Sequence, residues 1–373
     1  MTERLVAYEV LNVTRLPEAA TRDRYRGTKR SMLSLLEQRP RFSLLEGSTP
    51  IQRLTRLEQA VGCGGCPPIY VKRDDLMGVG GGGNKLRKLE FLIGEALDQG
   101  CDTFITTGAR QSNHARLSAA SAARAGLSCE LVLTDTVARN DEAYRRNGNV
   151  LLNDLFGATV LRRPGDVDAL AVAQDRAEQL SVEGRRAYVV GSGGSSPLGC
   201  LGYAVCAEEI MAQEQDLGLR FNRIIVPNGS SGTHAGLAAG LKAAGDEPGR
   251  IESFTVLAPI EKARAVTAEL AARTLALIDP VSAFAGGDIV VTDGQLGEGY
   301  GVPTDAMFES VQLVARSEGL LLDPVYGGKA FAGLIAAIRD GAWRNQEPVL
   351  FVMTGGLPGM FAYEPAFRRT WLH

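Results

Sequence analysis

Residues 78–90 read Gly-Val-Gly-Gly-Gly-Gly-Asn-Lys-Leu-Arg-Lys-Leu-Glu, and the fold turns on how this stretch is understood. Gly78 to Gly83 match the pattern G-x-G-x-x-G, with a strand expected before them at Ile69–Lys72 and a helix after them. Leu86, Leu89, Leu92, Ile93, Ala96 and Leu97 recur three and four apart. That spacing predicts an amphipathic helix over Lys85–Gln99, with Gly100 as its stop. A glycine loop opening a helix leaves N–H groups that favour an anion, phosphate above all. A dinucleotide site lacks its acidic ribose partner here, because the next strand, Thr103–Thr107, runs on into Gly108-Ala109-Arg110. A Walker A loop fails too: Asn84 intrudes before Lys85, and Leu86 stands where Ser or Thr would bind magnesium. Lys85 itself opposes the helix macrodipole. Either its amine is solvated, or it is a Schiff-base nucleophile beside a phosphate site.

Outward from that stretch the chain alternates. Strands are expected at Thr103–Thr107, Cys129–Leu133, Val160–Leu161, Ala187–Val190, Arg223–Val226, Ser253–Leu257, Asp288–Val291 and Val349–Val352. Between them helices are expected over Asn113–Ala125, Asn147–Phe156, Val167–Leu180, Pro197–Gln213, Thr233–Ala244, Ala263–Leu275, Thr304–Glu318 and Gly328–Asp340. This pattern predicts an α/β protein with mostly parallel sheets, and the strand number favours two doubly wound domains. Residues 1–45 lack periodicity and read as an N-terminal arm. Parallel sheets bind ligands at the carboxyl ends of their strands. The glycine loops at 78–83, 191–194, 228–232 and 354–359 fall there.

Glycine supplies 44 of the 373 residues, well above the usual ~7%, which suits tight turns and backbone that approaches a ligand closely. Forty Lys and Arg against 43 Asp and Glu give a net charge of −3 without a long basic run. Nucleic acid and anionic membrane are therefore poor partners. The opening MTERLVAYEV has no apolar core, and no stretch reaches the ~18 apolar residues of a span, so a cytoplasmic protein is expected. Cys63 and Cys66 have zinc-like spacing, yet no second pair or nearby His completes a ligand set, and no metal is expected. No G-x-S-x-G elbow points to a serine hydrolase.

Read together, the motifs resemble one family. They are Thr49-Pro50, Tyr70 to Asp75, Gly82 to Glu90, Thr107-Gly108, Gln111 to Arg116, Gly193 to Ser195, Gly199, Gly202-Tyr203, Gly229 to Gly236, Gly297 to Tyr300, Asp323 to Ala330 and Thr354 to Gly356. In order and composition they resemble the D-cysteine desulfhydrase and 1-aminocyclopropane-1-carboxylate deaminase family, over about residues 45–365. The resemblance implies a fold-type II, tryptophan-synthase-β-like enzyme using pyridoxal 5'-phosphate. It implies a large cofactor-binding domain of residues 46–87 and 205–373, a small domain of 88–204, and a homodimer acting on a small amino acid. It also implies roles for single residues. Lys85 would carry the cofactor, Asn113 would meet its phenolic oxygen, and Ser230, Ser231, Gly232, Thr233 and His234 would cup its phosphate. Ser112, Asn113 and His114 would bind the substrate carboxylate, with Ser112 also a proton carrier. Tyr300 and Tyr326 would be paired phenols acting as acid or base toward the β-carbon.

Two departures choose between branches. Ring-opening deaminases of the family carry Glu after the second tyrosine and Leu in the final glycine motif; here Gly327 and Thr354 stand. His114 likewise replaces their Gln. With Gly327 and Thr354 expected near the pyridine ring, Thr354 would offer its nitrogen a neutral hydroxyl, and the ring would be a weaker electron sink. The expected reaction is α,β-elimination from D-cysteine or a similar β-substituted amino acid. Cyclopropane deamination, or β-replacement in a specialised pathway, is the alternative.

Overall fold

The computed structural model describes residues 35–61, 66–343 and 347–368. Two sheets carry it. The first has six strands: β1 (Ile51–Arg53), β2 (Ile69–Lys72), β7 (Arg223–Asn228), β8 (Ile251–Thr255), β9 (Val290–Thr292) and β10 (Val349–Val352), in the order β1-β2-β10-β7-β8-β9. Only β1 runs antiparallel to its neighbour. The second has four parallel strands, β3 (Thr103–Ala109), β4 (Ser128–Thr134), β5 (Thr159–Arg163) and β6 (Ala187–Val190), in the order β5-β4-β3-β6. Among the described residues the long helices are α1 (Lys85–Asp98), α2 (Asn113–Ala125), α3 (Ala169–Val182), α4 (Pro197–Leu217), α5 (Gly232–Ala244), α6 (Ile260–Leu275), α7 (Asp305–Glu318) and α8 (Gly327–Arg339). None is long and apolar enough to cross a membrane.

Side-chain oxygens and glycines set the helix ends that the periodicity predicts. Ser112, Asp168, Ser196 and Thr304 each accept a first-turn N–H, and Gly126, Gly218, Gly245 and Gly319 close helices in the left-handed region. The expected helix over Asn147–Phe156 forms as Asn149–Leu155, and a short helix that was not expected, Glu142–Arg146, precedes it. Gly148, at φ 63° and ψ −127°, breaks them apart, and a Cβ there would lie 2.6 Å from the Pro358 carbonyl. Gln111 stitches the break, donating to the Tyr144 and Asn147 carbonyls and accepting from the Asn149 N–H. Strand β1 was not expected; three residues give no period of their own, and β1 exists through its pairing with β2.

Helix α1 lies between the sheets. One side packs Leu86, Leu89, Leu92 and Ile93 with the core of the small sheet, while Phe91 joins Leu201 and Ala239 on the other. Helices α1, α4 and α5 meet backbone to backbone. A Cβ on Gly202 would overlap the Arg87 carbonyl, and one on Gly236 the Cys200 carbonyl. Of the expected arm, residues 1–34 lie outside the described residues. Its last part packs on α1: Leu36 and Leu44 are buried, Arg41 pairs with Glu90, and the Pro40 carbonyl would lie 2.6 Å from a Cβ on Gly94. Cys66 is disulfide-bonded.

At the centre sits Arg87, 1% exposed. Its guanidinium donates to Asp74 at 2.9 Å through both Nε and Nη2, to Glu209 at 2.8 Å, and to Thr49 at 3.1 Å. Asp74 also accepts from the Tyr203 hydroxyl and from Thr49. Removing one partner of such a network strands buried charge. Arg87→Met should lower unfolding free energy by about 3–5 kcal/mol, read from urea denaturation. Arg87→Lys should recover only part, because an ammonium cannot bridge two carboxylates as a planar fork does.

Candidate active site

The carboxyl ends of both sheets open on one cavity of about 200 Å³. Lys85 enters from the first residue of α1. Its loop is held by Arg116, a buried guanidinium that donates to the Gly80 and Gly82 carbonyls. Gly80 to Gly83 all have positive φ, and a Cβ on Gly80 would lie 2.5 Å from Ala120, so larger residues cannot follow this path. Asn84 ties the loop to the six-stranded sheet, its N–H to the Thr354 carbonyl and its side chain to Thr233. Burial, then the nearby Lys88 ammonium, hold the Lys85 amine well below the ordinary lysine value. A neutral amine is the nucleophilic form.

The cavity floor is a cradle for an anion. Ser230, Ser231, Gly232 and Thr233 line it at the amino terminus of α5. Ser231 is a non-glycine residue at φ 64°, kept there by its hydroxyl on Asn228. First-turn N–H groups of α5 lack intrahelical acceptors and aim out of the helix end. Beneath lies a polar relay that no motif had assigned. Lys88 Nζ donates to Ser195 Oγ at 2.8 Å, and Ser195 Oγ to Ser230 Oγ at 2.8 Å. Lys88 is wholly buried, and burial lowers it to about 8. A Cβ on Gly232 would lie 2.6 Å from Ser195 Oγ, and one on Gly193 2.8 Å from Ser230 Cβ. The floor is therefore shaped by missing side chains, and it fits a phosphate. Lys88 was legible in principle, since it stands one turn beyond Lys85 on the same helical face. His234 is not among the residues that line the cavity. Its imidazole is buried on Ser253, outside the cavity lining, and burial drops it to about 3.

Ser112, Asn113 and His114 line the opposite side at the start of α2. Ser112 Oγ accepts the Ala115 N–H at 3.1 Å, which leaves its own proton free. Asn113 Oδ1 accepts from Asn149 at 2.9 Å, leaving Nδ2 to donate. His114 Nε2 donates to Thr106, whose hydroxyl is given to Val190. Burial, Lys85 and Lys88 together hold this imidazole well below its ordinary value, hence neutral.

Tyr300 and Tyr326 close the cavity, their hydroxyls 2.5 Å apart. Burial raises both phenols, and each acts on the other. Asp323 fixes the start of α8 by accepting the Val325, Tyr326 and Gly327 N–H groups; burial raises it to about 6. Lys329, one turn after Tyr326 and fully buried, donates to the Leu296 and Gly299 carbonyls at 2.7 and 3.1 Å. Tyr363 donates to the Gly301 carbonyl at 2.8 Å. The Tyr300 loop is thus gripped on both sides. Thr354 lines the cavity, whereas Gly327 does not: a Cβ there would point to Asp323 Oδ1 at 3.0 Å. A Glu at that position would start beside a buried carboxylate.

Comparison with known proteins places this geometry. The profile of the family described as "Pyridoxal-phosphate dependent enzyme" matches residues 42–355. The D-cysteine desulfhydrase of Serratia proteamaculans is 43% identical over 333 residues, covering 88% of this chain and 98% of the relative. That of Yersinia enterocolitica is 42% identical over 330 residues, covering 88% and 98%. A crystal structure described as an ACC deaminase homologue superposes with a TM-score of 0.81 at 35% identity, covering 91% of this chain and 99% of that one.

The grip on the Tyr300 loop has a direct test. Lys329→Met strands two carbonyls and should cost about 1–3 kcal/mol. Amide hydrogen exchange across residues 296–301 should speed up more than elsewhere, and Lys329→Arg should restore most of the protection.

Proposed function

The chain belongs to the family of pyridoxal-phosphate dependent enzymes, and from that membership we propose a lyase that removes the β-substituent of a small amino acid, D-cysteine or a close analogue. Pyridoxal phosphate is its cofactor. With D-cysteine the balance is substrate plus water to pyruvate, ammonium and hydrogen sulfide. When bound, the cofactor supplies an electron sink for the pair left on the α-carbon as its proton departs.

The observation that carries the reading is a partly buried lysine, its amine held well below the ordinary lysine value, together with an anion cradle and a phenol pair in one cavity. In this proposal Lys85 binds the cofactor covalently, and its amine, once freed, moves the α-proton. Ser230, Ser231, Gly232, Thr233 and the His234 N–H hold the phosphate, with Lys88 behind them. Asn113 donates to the phenolic oxygen, and Thr354 gives the ring nitrogen a neutral hydroxyl. Ser112 and the N–H groups of Asn113 and His114 receive the substrate carboxylate, and the Ser112 hydroxyl relays a proton. Tyr300 and Tyr326, protonated well past the ordinary phenol range, deliver a proton to the departing β-group. The division into a large domain of 46–87 with 205–373, a small domain of 88–204, a homodimeric assembly and a cytoplasmic setting belong to the same reading.

Borohydride reduction of the holoenzyme should fix the cofactor to the peptide holding Lys85, and Lys85→Ala should abolish this. Cofactor capture by apoprotein should reach its plateau below pH 10.5, since the amine is already neutral there; a plateau only above that value contradicts the role. D-cysteine or β-chloro-D-alanine should exceed aminocyclopropane carboxylate in kcat/KM by more than about a hundredfold. Equal turnover of the cyclopropane would overturn the elimination reading.

A further inference from the structure

We propose that the carboxyl edge of the four-stranded sheet is the β-substituent pocket, and that Thr134, Thr136 and Ser192 select an uncharged, hydrogen-bonding group there. The inference rests on the elimination reading and adds the class of leaving group to it.

Strands β4, β3 and β6 are parallel neighbours, and their carboxyl ends line one wall of the cavity. The β3 end offers only Gly108 and Ala109, so the functional groups come from either side. Thr134 ends β4 and is buried; its hydroxyl lies 2.8 Å from that of Thr136 and 3.4 Å from the Gly108 carbonyl. Ser192 follows β6, with its hydroxyl 2.8 Å from that of Thr107. This wall flanks the phenols. Val137, next to Thr136, would lie 2.8 Å from a Cβ on Gly301, next to Tyr300. The segment carrying Thr136 therefore packs beside the segment carrying Tyr300, and Thr134 and Ser192 line the same cavity.

Charge in the cavity points the same way. Among the described lining residues, Lys85 carries the only ammonium or guanidinium, and none is a carboxylate. Lys85 is taken by the cofactor, and the α2 terminus by the substrate carboxylate. A sulfonate or phosphate on the β-carbon would find no cation, and an ammonium no anion; an unpaired charge away from water is costly. A purely apolar group would leave the Thr134–Thr136 pair facing hydrocarbon. A hydroxyl rotates and carries one donor and two acceptor positions, so this wall serves a thiol, a hydroxyl or an ester alike.

The test is a set of near-isosteric amino acids without a good leaving group, each in both configurations: homoserine, norvaline, aspartate and 2,4-diaminobutyrate. Their Kd values are read from the change they cause in the absorbance of the bound cofactor, with no turnover needed. Homoserine should bind about tenfold more tightly than norvaline and more tightly still than the two charged analogues. Combining Thr134→Val with Thr136→Val should bring homoserine and norvaline close to parity, while Thr136→Ser keeps the preference. Aspartate or diaminobutyrate binding as tightly as homoserine would overturn the proposal, as would a preference unchanged in the double variant and in Ser192→Ala. Failure of wild-type holoenzyme to turn over β-chloro-D-alanine counts against elimination itself, a separate result from the order of these Kd values.

Discussion

Everything near the cavity depends on one buried guanidinium. Arg87 stands two residues beyond Lys85, and it binds Asp74 after β2, Glu209 on α4 and Thr49 ahead of β1 at once. It therefore joins the six-stranded sheet to the two helices that run between the sheets. Its own carbonyl lies where a Cβ on Gly202 would stand, so α4 can approach only because that residue is glycine. Charge pairing and close packing act on the same turn of helix. That turn presents Lys85 to the cavity on one face and Lys88 to the cradle on the same face.

Two amines share one turn of helix, and the consequence is chemical. Burial disfavours both ammonium forms, and Lys88 adds repulsion to Lys85. Lys88 keeps two acceptors, the Gly193 carbonyl and Ser195, so the neutral form falls to the lysine without them. Around these amines the fold supplies helix amino termini rather than cations. The starts of α2 and α5 both face the cavity, and such termini favour anions without a guanidinium beside Lys85.

Much of this was legible along the chain. Helix Asn113–Ala125 and strands Ala187–Val190 and Val349–Val352 occur at their expected ends, because a serine cap, a closing glycine or a continuous apolar run marks each locally. Lys85, Ser112, Asn113, His114, Ser230 to Thr233, Tyr300, Tyr326 and Thr354 do line one cavity. The short helix Glu142–Arg146 was not legible, since the turn that ends it answers to Gln111, more than thirty residues earlier, and to the carbonyl of Pro358. Surroundings differ even between neighbours: Tyr326 lines the cavity, while a Cβ on Gly327 would meet Asp323.

The sequence by itself determined the alternation of strands and helices, the glycine loops at their carboxyl ends and the identity of the residues with chemistry to offer. Those are local properties, written in periodicity, caps and turn residues. Only the tertiary structure decided which of these groups are neutral, which hydroxyls share a wall and which imidazole stays outside. His114 and His234 each follow a helix start in similar sequence surroundings, yet one ring borders the cavity and the other is buried against Ser253. Burial, and the charges brought near by distant segments, set these outcomes, and neither is a property of a residue in its own stretch of chain.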